Sequence, residues 1–408
     1  MESIQQKKRI LVLVDRYPIL PEYSTSTWMP GSLHELSSVA DIDVVSVINI
    51  LPRLKNLIYP GRDRMWLKAV MHLPKQQTQD SLYTIKHLRA IGIPARLSWR
   101  LLPELIKWQL ARKICDRYRA EHYDAILLHG TYPIGKLGID VAHRLGLPLI
   151  VVNHEGYQLY LEYFSDTAAH ELAVVLLAAN MVVTLSPNHQ KEIEKYFPNK
   201  ITSYVPHGIT VSNSQMREQH NEFRILTVSR LEGREKRNDI LMEGFARFYH
   251  DGHPHARMTI AGDGAELSTL QRVSINLGIS KVVRFTGWIS GEQLKQLYQS
   301  HDVFVCASSH ETFCYAALEA IASGLPVIGL PTVGILSEFV SLFPEETALS
   351  ELTSSQIAQK LALFFNAKNK RQQIASAMLQ VVKERFSWTG HRASLQNVMN
   401  QLIRFQSL

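Results

Sequence analysis

The sequence predicts an α/β chain built from two doubly wound, Rossmann-like domains. Three observations carry this. Short, continuous runs rich in Val and Ile alternate with helix-length segments from end to end, the punctuation of βαβ units whose strands are buried on both faces. The length, 408 residues, exceeds what a single hydrophobic core holds together and points to two domains. A polar break at 211–222, Ser- and Asn-containing and without a core pattern, divides the alternation into halves and reads as a linker.

The first half offers strands at 10–14, 44–48, 125–129, 149–153 and 181–185, with helical segments at 136–145 and 187–197. Lys7-Lys8-Arg9 precedes the first apolar run in the manner of a signal peptide, but that run stops at Asp15 and reads as a first buried strand. The second half offers strands at 224–228, 258–261, 282–285, 304–307 and 326–329, helices at 239–250 and 291–300, and helical pattern from Ser354 onward. Open sheets of this kind place ligands at the carboxyl ends of their strands, so two such domains are expected to face a cleft.

Composition sets bounds on function. Hydrophobic content of 46% and charged content of 20% are those of a soluble globular protein. No apolar run reaches the ~18 residues of a spanning helix. Cys115, Cys306 and Cys314 form no disulfide framework and have no metal-ligand spacing, which favours a reducing compartment. The net charge of +7 is unevenly spread: fifteen bases face four acids between Arg53 and Arg119, alongside Trp66, Trp99 and Trp108. Bases interleaved with aromatics suit an anionic membrane surface. They also suit nucleic acid, although no reading motif accompanies them, or simply solvated helix faces.

The most informative stretch runs from Ser308-Ser309-His310-Glu311-Thr312-Phe313-Cys314 through Glu319 to Gly324-Leu325-Pro326-Val327-Ile328-Gly329. It reads as a strand end, a loop with one glutamate, a short helix with a second, then a new strand. A helix N-terminus offers backbone amides to an anion, so this can hold a sugar joined to a diphosphate. A leaving diphosphate must be neutralised by a carboxylate-held metal or by fixed cations and amides. Arg230 and Lys236 follow the first strand of the second half; the first suits forked contacts and the second acts as a point charge. Ala261-Gly262-Asp263-Gly264 and Phe285-Thr286-Gly287-Trp288 end the next two strands in tight turns. The first is no dinucleotide fingerprint, because Gly-x-Gly-x-x-Gly is not completed. In the first half, Leu128-His129-Gly130 and Val152-Asn153-His154-Glu155-Gly156 follow consecutive strands; His154 is read as functional and His129 as structural.

Taken together these strings resemble the retaining GT-B glycosyltransferases of family 4 (glycosyl transferases group 1), strongly from Arg224 to Gly329 and more loosely before. The resemblance implies that Glu311, the first acid of the acid–seven–acid motif, lies against the donor sugar and that Glu319 binds the ribose. It implies that Arg230 and Lys236, the Arg-x5-Lys element, grip the diphosphate, and that His154 reaches the sugar or its phosphate. Thr312, Phe313, Cys314, Gly262, Gly264 and Gly287 would line the nucleotide sugar. Phe386-Ser387-Trp388 resembles the family's crossing point, giving domains at 1–210 and 223–387 and a final helix, 388–408, returning to the first domain. Three departures stand out: Thr210 replaces the acid that usually ends Pro-Asn-Gly-Val-Asp, Cys314 replaces a common glycine, and the loop 16–27 has Ser and Thr where paired glycines are frequent.

The expected function is same-face transfer of a sugar from a nucleoside diphosphate to an acceptor hydroxyl, with no cofactor and no metal. The acceptor would be a glycan or a lipid-linked acceptor. The setting would be cytoplasmic, peripheral on an anionic membrane, in polysaccharide or glycolipid assembly, and without nucleic acid. The alternative is a non-catalytic nucleotide-sugar-binding partner of a glycan assembly complex.

Overall fold

The structure is a computed structural model and describes residues 7–15, 17, 28–49, 73–79, 82–90, 102–131, 134–163, 166–211 and 221–402. Most of the expected linker, nearly all of the loop 16–27, Trp66, Trp99 and seven of the fifteen bases lie outside these residues. Two compact units result: Met1–Thr184 with Gln190–Gly208 and His391–Leu408, and Leu185–His189 with Ile209–Gly390. Leu185–His189 thus groups with the second unit, although the sequence puts it inside the first domain.

The first unit is built on an eight-stranded sheet. Its strands are β1 (Lys8–Val14), β2 (Ala40–Asn49), β3 (Gln76–Gln79), β4 (Tyr83–Ala90), β5 (Ala125–His129), β6 (Leu149–Val152), β7 (Met181–Thr184) and β8 (Thr202–Tyr204). They lie in the order β3-β4-β2-β1-β5-β6-β7-β8. All neighbours are parallel except the edge hairpin β3–β4. The central strands β5, β6 and β7 are buried at every residue, as unbroken apolar runs must be when helices cover both faces. Helices Leu102–Tyr118 and Gly135–Leu145 pack together on this sheet through Ile114, Leu137 and Val141, which share one buried cluster with Ile126 and Leu128 of β5.

The second unit has β9 (Phe223–Val228), β10 (Ala256–Ala261), β11 (Val283–Phe285), β12 (Val303–Cys306) and β13 (Val327–Gly329). They form a parallel sheet in the order β11-β10-β9-β12-β13. Helix Asn238–His250 packs on helix Ser354–Asn366, whose first turn is capped by Thr353 accepting from the Gln356 amide. Ile209 donates its N–H to the Phe386 carbonyl, and Trp388 Nε1 donates to Thr210 Oγ1 at 3.1 Å. The final helix, Trp388–Gln401, is counted with the first unit from His391 onward.

Both units are doubly wound, as the alternation predicts. Part of the basic segment lies on strands rather than on helix faces. Gln76–Gln79 and Tyr83–Ala90 pair antiparallel, with Tyr83, Ile85 and His87 turned inward while Lys86 lies over the Tyr118 ring. Among the described residues no helix is long and apolar enough to cross a membrane.

Candidate active site

In the second unit the strand order reverses between β9 and β12. The loops leaving two such neighbours diverge and open a crevice at their carboxyl ends. The β9 loop carries Arg230 and Lys236; the β12 loop carries Glu311. Lys236 closes a single 3-10 turn, Arg234–Lys236, and the Ser309 amide donates to the Glu235 carbonyl at 2.8 Å, tying that turn to the glutamate loop. Lys236 Nζ then donates to Glu311 Oε1 at 2.6 Å, and Ser308 Oγ donates to the same oxygen at 2.8 Å. The two side chains are only 10% and 20% exposed. Burial pulls the Lys236 ammonium down, but the charge and hydrogen bond of Glu311 outweigh it and leave the pKa above its ordinary value. Lys236 is therefore a fixed cation. Arg230 lies elsewhere in the same loop: it is 54% exposed and its Nη1 meets Glu232 at 3.4 Å, while its charge still reaches Lys236 and opposes it. The two bases are thus one largely enclosed and one solvent-facing, rather than an equivalent pair.

The loop beyond Glu311 is held by its carbonyls. Gly334 N–H donates to the Glu311 carbonyl at 3.1 Å, Ser186 Oγ to that of Thr312 at 2.7 Å, and Ile335 N–H to that of Phe313 at 3.0 Å. In a trans peptide the N–H points opposite its C=O, so the amides of Thr312, Phe313 and Cys314 face away from those three anchors. The helix Tyr315–Ala322 follows, and Cys314 before it adopts φ 74°, ψ 62°, the left-handed region that disfavours a side chain. Its Sγ lies 3.5 Å from Sγ of Cys306 at the end of β12.

Glu319, one turn into that helix, accepts from Tyr298 Oη at 2.9 Å. Burial raises its carboxyl to about 7, and the Tyr298 bond opposes only part of this. The folded state then binds this proton more tightly than the unfolded chain. Stability of the second unit is expected to fall as pH rises from the ordinary 4.5 to about 7. Denaturant titrations across that range should show the slope, and Glu319→Gln should flatten it.

Gly262 and Gly264 have a structural reason beyond any ligand. At φ 141° and 155°, a Cβ on them would sit 1.8 Å from the Ser229 carbonyl oxygen and 2.4 Å from that of Leu231. The β10 turn is thereby pressed against the β9 loop, and Leu231 N–H donates to the Asp263 carbonyl at 2.9 Å. Gly287 joins the same assembly by accepting from the Gly262 amide at 3.0 Å.

In the first unit His154 is part of a ring stack. Its Nε2 is 3.4 Å from His129 Nδ1, and its ring lies 4.7 Å from Trp28 and 5.7 Å from His207. Trp28 stacks on His207 at 4.0 Å. His391 completes the group, its Nε2 2.8 Å from Ser32 Oγ and its Nδ1 2.6 Å from the Pro206 carbonyl. Burial, with the charge of His391, pushes His129 down to about 3; burial likewise holds His207 and His391 below the ordinary value. His129 is buried here, while Trp28, His207 and His391 are neighbours that sequence reasoning did not find. Among the described residues no group of three or more His, Cys, Asp and Glu is placed to hold a metal.

The family model for glycosyl transferases group 1 matches residues 210–380, and that for glycosyltransferase family 4 matches residues 70–213. The chain belongs to the family 4, group 1 type of glycosyltransferases. Among family relatives, the alpha-monoglucosyldiacylglycerol synthase of Acholeplasma laidlawii is 29% identical over 245 residues, a match covering 53% of this chain and 61% of that one. The matched stretch is therefore less than two thirds of that relative's length. The fold is GT-B. Sucrose-phosphate synthase from Thermosynechococcus elongatus superposes with TM-score 0.75 at 16% identity over 98% of this chain and 100% of that one. HepE from Anabaena, solved in complex with UDP-glucose, gives 0.68 at 18% identity over 96% and 99%.

Proposed function

We propose that this glycosyltransferase moves a sugar from a nucleoside diphosphate to an acceptor hydroxyl with retention of configuration. The observation that carries the reading is the part-buried Lys236–Glu311 pair where the β9 and β12 loops meet. A fixed cation and a carboxylate side by side match the two charges that develop when a glycosyl phosphate bond breaks: negative on the departing phosphate, positive on the sugar. Lys236, exposed Arg230 and the amides of Thr312, Phe313 and Cys314 take the phosphate charge; Glu311 takes the sugar side. Glu319 suits the ribose hydroxyls, and the departing phosphate takes the acceptor proton on the same face. Fixed cations replace a metal in this scheme, so turnover should persist in chelator.

The acceptor is proposed to be lipid-linked or a glycolipid, met at the cytoplasmic face of a membrane. Two facts support this. The relative from Acholeplasma is named for a glucosylated diacylglycerol. On the helix Leu102–Tyr118, Trp108 is 44% exposed beside the Arg112 and Arg144 guanidinium groups, and Lys113 and Arg117 are exposed with it.

The deciding experiment is a panel of UDP-, GDP- and ADP-sugars assayed for binding and turnover, with and without membrane lipid extract. Turnover with one donor is the expected result; binding without turnover under every condition would leave only a nucleotide-sugar-binding protein. In parallel, binding to vesicles containing anionic lipid should fall steeply between low and high salt. Indifference to such vesicles at low salt would remove the membrane from the scheme.

A further inference from the structure

We propose that Cys306 and Cys314 are a modification site: they form a reversible intramolecular disulfide that closes the chain around Glu311 and reshapes the donor loop. The geometry comes first. The two sulfurs are 3.5 Å apart and both residues are buried, so bond formation needs an approach of about 1.5 Å to reach the disulfide length. The Cys306 backbone is held, because it ends β12 and pairs with Gly329 of β13. The approach therefore falls to rotation of the two side chains and to the backbone at Cys314. Cys314 is the left-handed residue between loop and helix, in a conformation that glycine would hold without strain. A side chain kept where its backbone is penalised, with a second thiol in contact, is an outlier that packing alone leaves unexplained.

The chemistry needs an oxidant, and a peroxide serves. One thiolate attacks a peroxide oxygen, giving a sulfenic acid and releasing the other oxygen as water. The second thiol attacks the sulfenic sulfur and expels the second water. Two thiols and one hydrogen peroxide thus become one disulfide and two waters. The two thiols share one hydrogen bond in which either sulfur can donate, so whichever ionises first keeps a donor in its partner. Cys115 lies in the first unit and is not part of the pair.

The consequence follows from where the loop is anchored. Glu311 and Phe313 hang by their carbonyls from Gly334 and Ile335. Drawing Cys314 toward β12 pulls on both bonds and moves the amides of Thr312, Phe313 and Cys314. This effect on ligand binding, though not the crosslink, rests on the donor-site reading above.

The test uses the full chain, reduced and then treated with hydrogen peroxide. Under denaturing conditions the reduced protein should present three reactive thiols and the oxidised protein one. The peptide holding both cysteines should lose the mass of two hydrogens, and dithiothreitol should restore it. Cys306→Ser and Cys314→Ser should each block that mass loss. UDP, as the probe, should bind the oxidised wild type about tenfold more weakly, a shift of about 1.4 kcal/mol, and should bind Cys306→Ser equally before and after peroxide. Sulfinic or sulfonic acid at either cysteine without a crosslink, or a bond that uses Cys115, overturns the proposal. A disulfide that leaves UDP affinity unchanged overturns the reshaping. If the reduced protein ignores UDP, the donor reading fails instead, and the thiol count still decides the crosslink.

Discussion

Replacing Glu311 by glutamine should lower turnover about a thousandfold while the protein stays folded. Glutamine keeps the shape of the side chain and can still accept from Lys236 and Ser308, both of which now bond Oε1. What it removes is the negative charge. That charge has two jobs in the site. In the proposed reaction it faces the sugar carbon that becomes electron-poor. Before any ligand binds, it keeps Lys236 protonated despite burial. The substitution should therefore also lower the Lys236 pKa, which makes binding of the donor weaken as pH rises toward the alkaline side. Initial rates with whichever donor the panel identifies, together with a thermal melt, separate the two effects. Unchanged nucleotide release in this variant would sink the catalytic assignment of Glu311.

Gly262→Ala should destabilise the second unit by about 3 kcal/mol or more. The new methyl group would need to occupy a point 1.8 Å from the Ser229 carbonyl oxygen, and that neighbour is backbone, so nothing yields cheaply. The substitution also presses a side chain into φ 141°. Gly287→Ala is the control. It has the left-handed φ of 69° but nothing within 4 Å of the added atom, so it should lose only about 1 kcal/mol. Denaturant midpoints of the two variants measure the difference directly. Equal losses would mean that the β10 turn does not press on the β9 loop.

The fold was readable where strands are apolar on both faces. β5, β6 and β7 stand out as runs dominated by Ile, Leu and Val, and their ends fall within a residue or so of the expected positions. The edge hairpin was not readable, because Gln76–Gln79 is entirely polar and only an adjoining strand gives it a place in the sheet. β8 is three residues long and leaves no period to detect. In the site, sequence located Lys236 and Glu311 but not their mutual pairing, which depends on β9 and β12 lying side by side. The ring stack of Trp28, His129, His154 and His207, with His391 close enough for its charge to reach it, draws on five distant points of the chain. No local pattern joins them; the sheet order and the final helix do. The contact of Cys306 with Cys314 is similar, since only the left-handed turn of Cys314 folds its sulfur back to the strand end.

The neutral histidine stack gives the two units opposite responses to acid. His129, His207 and His391 refuse a proton that the unfolded chain accepts below pH 6.5, so acidification works against the first unit. Glu319 does the reverse, gaining its proton near 7 in the folded second unit, long before the unfolded chain would. Mild acid should therefore melt this protein unevenly, with the imidazole-bearing unit loosening while its companion tightens. A single melting temperature near neutrality should split into two as the buffer is taken toward pH 5.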